Sequence, residues 1–430
     1  MAVRLLLGPV GAGKTSHALS FVQAVKADDP LAQVWVIIAS ERQKIAFRER
    51  LLAAQRGFFN IHFFSFDELY RHLASAAGSP HRVLHSGPRA ALLRQILRER
   101  RDEPGAIFQP LPGFVEAIAR QFDELKQWQI SPQGFAAHAH LHPRHAELAL
   151  LFTRYQERLD ALNLTDRAGL GLDALAALRA RPELTADLAG LVVDGFDQLN
   201  PIHAALIAEL ADRAGAALIT LTQPDDEDAA AGTSRFALAR ERLLFALRQT
   251  QGLSPDGTAD GWTIEVLPPV ETVEHGRRAI IHLTAQLRSP LPRSRPAPPA
   301  AADALIAPGI NFLEAPDPSS ETAAVLRRVK ALLLGVAGVG PTCRPDDILI
   351  AVRDWARYGP HLHSLSARYS LPVSFHQGAP LAENPAVAAL LRLLALPEGG
   401  YRRLDVIDAL RTPYLRIPGF PADGVLALEQ

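Results

Sequence analysis

Cysteine is nearly absent: Cys343 is the only one in 430 residues. A single thiol excludes an internal disulfide, a cysteine zinc site and an iron–sulfur cluster built from these residues alone. An excess of one charge sign is also lacking. The chain has 45 Lys and Arg against 46 Asp and Glu, a formal net charge of −1, so no global field draws it to nucleic acid or a membrane. A local basic groove is still compatible with that balance. Long apolar runs are missing, which leaves no candidate membrane span. Nothing resembles a signal peptide, and the expected compartment is the cytoplasm. Lysine is scarce, at positions 14, 26, 44, 126 and 330 only. The abundant Arg, Ala and Pro read as coding bias, with solvated helix faces as the ordinary role of the arginines. Hydrophobic residues make up 48% of the chain, ample for large cores, and its length suits about two to four domains.

Against this even background one segment stands out. Gly8-Pro9-Val10-Gly11-Ala12-Gly13-Lys14-Thr15 matches the phosphate-binding P-loop pattern G-x-x-x-x-G-K-[ST]. Arg4 to Leu7 reads as a short buried strand before it, and Ser16 to Val22 as the opening of a helix behind it. Three glycines allow the backbone to wrap a polyphosphate with its N–H groups pointing inward. The helix N-terminus adds a favourable field for anions. In this reading the loop through Ser16 binds ATP, Lys14 reaches the β- and γ-phosphates, and the Thr15 hydroxyl holds Mg²⁺.

Strands and helices alternate at first. Val34–Ala39 and Ile61–Phe64 are apolar runs of strand length, each followed by helical spacing (Glu41–Ala54, Phe66–Ala77). This order predicts a parallel sheet with crossover helices. From Gly87 to Arg181 only helical periodicity is found, over Arg89–Arg100, Pro112–Trp128, Ser131–Ala139, Arg144–Leu162 and Ala168–Arg179. The strand pattern resumes at Gly190–Asp194 and Ala217–Leu221, with a helix over Pro201–Ala214 between them and another from Ser234 to Gln251. A Pro/Ala-rich linker covers residues 289–308. Beyond it Asn311–Glu314, Ile348–Val352 and Val373–Phe375 are expected strands, and Ser320–Leu334, Tyr358–Tyr369 and Pro385–Leu396 expected helices. The predicted fold is therefore α/β with two RecA-like lobes. The first comprises residues 1–86 and 186–288, interrupted by a helical insertion at 87–185. The second, incomplete, spans 309–396, and residues 397–430 begin a further helical region.

A nucleotide-hydrolysing P-loop protein needs a second carboxylate directed at Mg²⁺ from the end of a buried strand. Asp194, at the end of Leu191-Val192-Val193, is the candidate, the alternative being an Asp that caps a turn. Many ATP-driven motors place Glu next, to orient the attacking water; here the residue is Gly195. Asp197 either substitutes for it or caps the helix that starts near Pro201. Without a placed base, in-line attack is poorly activated, so ATP binding is better supported than hydrolysis. Gln223 or Thr222, at the next strand end, is placed to sense the γ-phosphate or simply starts a polar loop. Ser65 and Phe66 suit contact with a nucleic-acid strand through phosphate bonding and base stacking, or Phe66 belongs to the core. Arg353 either reaches the triphosphate as an arginine finger or forms a surface ion pair. The histidines, including His138, His140, His142 and His145, show no metal-ligand pattern.

Taken in order, these segments resemble the AddB-like family, the B subunits of ATP-dependent helicase/deoxyribonucleases, within the UvrD-like superfamily 1 helicase group. The resemblance rests on the P-loop near the N-terminus, Val34–Ala39 leading to Ser40-Glu41-Arg42-Gln43, and Phe63-Phe64-Ser65-Phe66-Asp67-Glu68-Leu69. It continues through the helical insertion, Val193-Asp194-Gly195-Phe196, Asp347–Arg353 and Pro380-Leu381-Ala382-Glu383-Asn384-Pro385. It implies processing of DNA double-strand breaks, at single strands or duplex ends, in recombinational repair, alongside a partner helicase-nuclease subunit. It also implies a helicase-like region of weak or absent motor activity, which Asp194-Gly195 fits, and a C-terminal PD-(D/E)XK nuclease domain. That nuclease region has no counterpart before Gln430, so the sequence reads as a fragment or truncated product from which no nuclease activity is expected. Two alternatives are a non-catalytic, ATP-bound module that holds DNA for a partner helicase, and a P-loop kinase of a small metabolite. The second α/β unit argues against the kinase.

Overall fold

The computed structural model describes residues 2–54, 57–139, 142–223, 235–251, 262–268 and 311–415, with positions 337, 339, 341, 376, 377, 379, 398 and 399 excepted. The expected linker at 289–308 lies outside these residues. The chain divides into two compact units, Met1–Ile310 and Asn311–Gln430.

The first unit is built on a six-stranded sheet of β1 (Ala2–Gly8), β2 (Gln33–Ile38), β3 (Ile61–Phe64), β6 (Leu188–Phe196), β7 (Ala216–Thr222) and β8 (Trp262–Val266), in spatial order β3-β2-β6-β7-β1-β8. Every neighbouring pair is parallel. Successive side chains of a strand point to opposite faces, and here both faces are apolar. Val3, Leu5 and Leu7 of β1, Trp35 and Ile37 of β2, and Leu191 and Val193 of β6 enter one buried cluster. Leu6, Val34, Val36, Ile38 and Val192 enter the other. Continuous apolar runs are what a sheet covered on both sides requires, and each fully buried Leu, Ile or Val contributes about 1.5–3 kcal/mol. Helices α1 (Lys14–Asp28) and α2 (Glu41–Ala54) cover the second face through Ala18, Val22, Phe47 and Leu51. The first face is covered by α3 (Phe66–Ala76), α8 (Arg167–Ala180), α9 (Pro201–Arg213) and α10 (Arg235–Gln251).

Between β3 and β6 lie β4 (Arg82–Val83), α4 (Ser86–Arg100), α5 (Pro112–Gln127), α6 (Pro132–Ala136), α7 (Pro143–Ala161) and β5 (Leu164–Thr165). Helices α4, α5 and α7 share a core of their own, with Leu93, Ile96, Ile118, Phe122, Phe152, Tyr155 and Leu159. The Phe122 ring stacks on Phe152 at 4.8 Å and on Tyr155 at 5.3 Å. The expected helical periodicity is met here to within a few residues. The two-residue parallel ladder of β4 with β5 escaped it, because two residues carry no period. Helix α8 departs from the expected grouping with the insertion: its Leu170, Ala174, Leu175 and Leu178 sit in the sheet's first cluster. An apolar helix face packs wherever a complementary face is offered, and helical spacing does not say which.

Asp166, the N-cap of α8, joins the two cores. Its carboxylate accepts from the Gly169 N–H at 2.7 Å, from Lys126 at 2.9 Å and from the Tyr155 hydroxyl at 2.9 Å. Arg89 lies 3.6 Å away. Burial pushes the carboxyl up, but the Lys126 and Arg89 charges outweigh it and hold Asp166 below the ordinary carboxylate range.

In the second unit α11 (Pro318–Leu333) packs on α12 (Trp355–Arg368), burying Thr322, Leu326, Leu362 and Ser366. The Tyr358 hydroxyl donates to Glu321 at 2.8 Å, and Lys330 donates to the Tyr369 carbonyl at 2.9 Å. Helices α13 (Pro385–Ala395) and α14 (Arg403–Leu410) follow. The three expected strands are not strands among the described residues: 311–314, 348–352 and 373–375 carry no ladder. An extended run becomes a strand only when a neighbour takes up its N–H and C=O groups. Phe312 and Leu349 are correspondingly exposed. Among the described residues the second unit is therefore helical with extended segments, where strands of a second lobe were expected.

Candidate functional site

In parallel α/β sheets ligands bind outside the carboxyl ends of the strands. The register places Gly8 opposite Thr222 and Ile38 opposite Asp194 at that edge. The Gly8–Thr15 loop leaves β1 there and enters α1. Gly13, the N-cap of α1, has φ +84° and Gly11 has φ +90°. This left-handed region is strained for any residue with a Cβ. The Gly13 carbonyl accepts from the Ser16 and His17 N–H groups at 2.9 and 3.2 Å, and the Pro9 carbonyl accepts from the Ala12 N–H at 3.3 Å. The first N–H groups of a helix have no acceptor within it, so the start of α1 presents donors at the strand edge. The Lys14 amine folds over the loop and donates to the Gly8 and Pro9 carbonyls at 2.8 and 2.6 Å.

Asp194 is buried at the end of β6, 6% exposed. One carboxylate oxygen accepts from the Thr15 hydroxyl at 2.9 Å, and the other accepts from the Thr220 hydroxyl of β7. Residues 179 positions apart thus meet as a carboxylate and a hydroxyl, a pair of hard oxygen donors suited to Mg²⁺. Thr220 is not among the residues expected from the sequence. Its signal is a polar residue in the otherwise apolar run Ala217–Leu221, pointing to the same face as Leu218.

Gln223 lies just beyond β7, its N–H donating to the Gly8 carbonyl at 2.9 Å. Its side-chain oxygen accepts from Arg240 of α10 at 3.2 Å. Arg240 has no local signal in the sequence and is brought in by the packing of α10 on α9. Gly195 has φ +82°, and a Cβ there would stand 2.9 Å from Nε2 of Gln43. Asp197 does not cap α9; the Asn200 carboxamide oxygen does, accepting from the His203 N–H at 2.8 Å.

Ser65 and Phe66 are occupied within the chain. Ser65 caps α3 in a reciprocal pair with Glu68, whose carboxylate accepts from the Ser65 N–H at 2.6 Å. Glu68 also pairs with the buried Lys44. Burial raises the Glu68 carboxyl, but Lys44 and the two Ser65 donors bring it down to about 2. Phe66 is 6% exposed and stacks on His203, with centroids 3.7 Å apart and planes at 6°. The core alternative therefore describes Phe66, and its hydrogen-bonded neighbour is a helix cap. Arg353 is exposed in the second unit, just ahead of α12. Among the described residues no group of three or more His, Cys, Asp and Glu is arranged to hold a metal. No described helix is long and apolar enough to cross a membrane.

His203 yields a pH prediction. Its burial, and then the Arg167 charge, push the imidazole down to about 3 from an ordinary 6.5. The unfolded chain takes up this proton near 6.5 and the folded chain does not, so stability falls as pH drops from 6.5 toward 3. The His203 share of the folded-to-unfolded ratio is expected to fall up to about tenfold per pH unit in that window. Urea unfolding at about pH 7 and about pH 5, on either side of the ordinary histidine value, measures it. A His203→Gln variant with the same pH slope as wild type would refute the assignment.

A sequence model of the family described as "ADDB, N-terminal" matches residues 5–249. The ATP-dependent helicase/deoxyribonuclease B subunit of Pelotomaculum thermopropionicum is 28% identical over 407 residues, covering 90% of this chain and 33% of its own length. The protein of that name from Moorella thermoacetica is 30% identical over 248 residues, covering 51% of this chain and 20% of its own. That from Geobacillus kaustophilus is 23% identical over 449 residues, covering 99% and 36%. The chain thus spans about a third of the length of two of these relatives and a fifth of the other's. With the family match running from β1 through most of α10, and so through every strand-edge residue described above, the chain belongs to the AddB N-terminal family.

Proposed function

We propose that this chain is the ATP-binding, helicase-like part of a subunit that processes DNA double-strand breaks in recombinational repair, together with a partner helicase-nuclease subunit. The first unit is read as a RecA-like lobe. The observation that carries the reading is the 2.9 Å contact between Thr15 and Asp194 at the strand edge. The relatives' printed name, helicase/deoxyribonuclease subunit, supplies the DNA-processing context.

In this reading the Gly11–Thr15 N–H groups and Lys14 hold the β- and γ-phosphates of ATP, and Thr15 and Asp194 hold Mg²⁺. The metal, when bound, neutralises charge on the phosphate oxygens. Thr220 orients the Asp194 carboxylate. Gln223, steadied by Arg240, faces the terminal phosphate. Single-stranded DNA or a duplex end is the expected polymer ligand and the cytoplasm the expected compartment. Gly195 specifically favours a second reading, in which the chain binds ATP without turning it over and holds DNA for the partner's motor.

The test is ATP binding by the purified chain with Mg²⁺ or EDTA, together with phosphate release with and without a single-stranded oligonucleotide. Wild type is expected to bind ATP more tightly with Mg²⁺, and Asp194→Asn to lose about tenfold or more of that enhancement. An affinity indifferent to Mg²⁺ in both proteins would refute the metal role. DNA-stimulated turnover separates the motor from the passive module.

A further inference from the structure

Gly195 occupies the position where active motors carry a water-orienting carboxylate, and a carboxamide from another element stands beside it. A Cβ at residue 195 would stand 2.9 Å from Nε2 and 3.3 Å from Cδ of Gln43, and the backbone there has φ +82°. Gln43 belongs to α2, but β2 pairs with β6 so that Ile38 lies opposite Asp194. The turn from β2 into α2 is thereby brought alongside Asp194 and Gly195. Ser40, in that turn, donates to Oε1 of Gln43 at 3.1 Å and accepts from the Gln43 N–H at 3.3 Å. The carboxamide is therefore oriented, with its nitrogen toward Gly195 and one residue removed from the carboxylate that contacts Thr15.

We propose that Gln43 is the water-positioning residue of this site, supplying from a neighbouring strand end the function of the carboxylate that residue 195 lacks. The proposal rests on the nucleotide-binding reading above. In hydrolysis the water oxygen bonds to the γ-phosphorus. The bond from that phosphorus to the β–γ bridging oxygen breaks, its electron pair leaving on ADP, and the water's proton passes to the released phosphate. A carboxamide accepts from one O–H and donates to an oxygen lone pair, which holds the water in line, as glutamines do in small GTPases. It takes no proton, so turnover is slow by the nature of the residue type.

The experiment compares wild type, Gln43→Ala and Gln43→Glu in the full chain with a single-stranded oligonucleotide. It reads kcat and KM for ATP, and separately the equilibrium affinity for ADP with aluminium fluoride relative to ADP alone. Gln43→Ala is expected to lower kcat about tenfold or more with KM within about threefold, and to lose the fluoride-dependent gain in affinity. Gln43→Glu is expected to raise kcat at least about tenfold, because a carboxylate both orients water and accepts its proton. Unchanged kcat and fluoride affinity in Gln43→Ala would overturn the proposal, as would a Gln43→Glu protein no faster than wild type. Circular dichroism confirms that each variant is folded. A wild-type chain that binds no ATP overturns the nucleotide reading and this proposal together; ATP bound normally by variants of unaltered kinetics overturns this proposal alone.

Discussion

Replacing Lys14 by alanine is expected to weaken ATP binding by on the order of 100-fold, the value of losing a charged hydrogen bond to phosphate in a partly enclosed site. The amine already stands at the mouth of the loop, 2.8 Å from the Gly8 carbonyl and 2.6 Å from the Pro9 carbonyl. A polyphosphate offers it a full negative charge in place of two carbonyl dipoles, so the exchange favours the ligand. The fold loses little, because the Gly8 carbonyl keeps the Gln223 N–H as a donor and the Pro9 carbonyl keeps the Ala12 N–H. Lys14→Arg is not expected to restore binding: a planar guanidinium does not fit a cradle shaped for a point charge. Titration calorimetry with MgATP, alongside thermal melts, checks both halves. Undiminished affinity in Lys14→Ala would sink the phosphate role of this loop.

Asp166→Ala is expected to destabilise the first unit by about 3–5 kcal/mol, the usual effect of stranding a buried charge. Asp166 is 0% exposed and Lys126 3% exposed. Removing the carboxylate strands the Lys126 amine near the Arg89 guanidinium, which itself keeps Asp123 at 2.9 Å. It also removes the α8 cap, which on its own costs about 1 kcal/mol. Asp166→Asn separates the two effects, since Asn keeps an acceptor for the Gly169 N–H but carries no charge. Both variants are expected to lower the unfolding temperature, Asp166→Ala by about 10 °C and Asp166→Asn by most of that amount. A wild-type melting temperature in Asp166→Asn would show that the cap, and not the charge network, holds α8. ATP affinity in folded protein at low temperature is expected to stay within about twofold, because Asp166 joins the insertion core to α8 and not to the loop at Gly8.

Lys14 and Asp166 differ in how far local sequence announces them. Lys14 belongs to a contiguous eight-residue pattern whose chemistry is local: glycines for left-handed turns, a lysine for phosphate, a hydroxyl for metal. Asp166 has no such pattern, since Arg89, Lys126, Tyr155 and Asp166 come from separate parts of the chain. Its role depends on burial, and burial is a property of the assembled cores.

The same division runs through the whole molecule. By itself the sequence determined the parallel α/β character of the first unit, because strands covered on both faces must be continuous apolar runs and crossover helices must be amphipathic. It also determined the helices of residues 86–180 nearly to their ends, and the Gly8–Thr15 loop. Tertiary structure alone decided that α8 packs on the sheet, that Phe66 faces His203 and that Arg240 meets Gln223. It also decided that Gln43 lies beside Gly195, and that residues 311–314, 348–352 and 373–375 run without a ladder among the described residues. Most of these are contacts between segments far apart in the chain. Local periodicity states which face of an element is apolar or polar; which partner that face meets is set by the register of the sheet and the packing of the helices upon it.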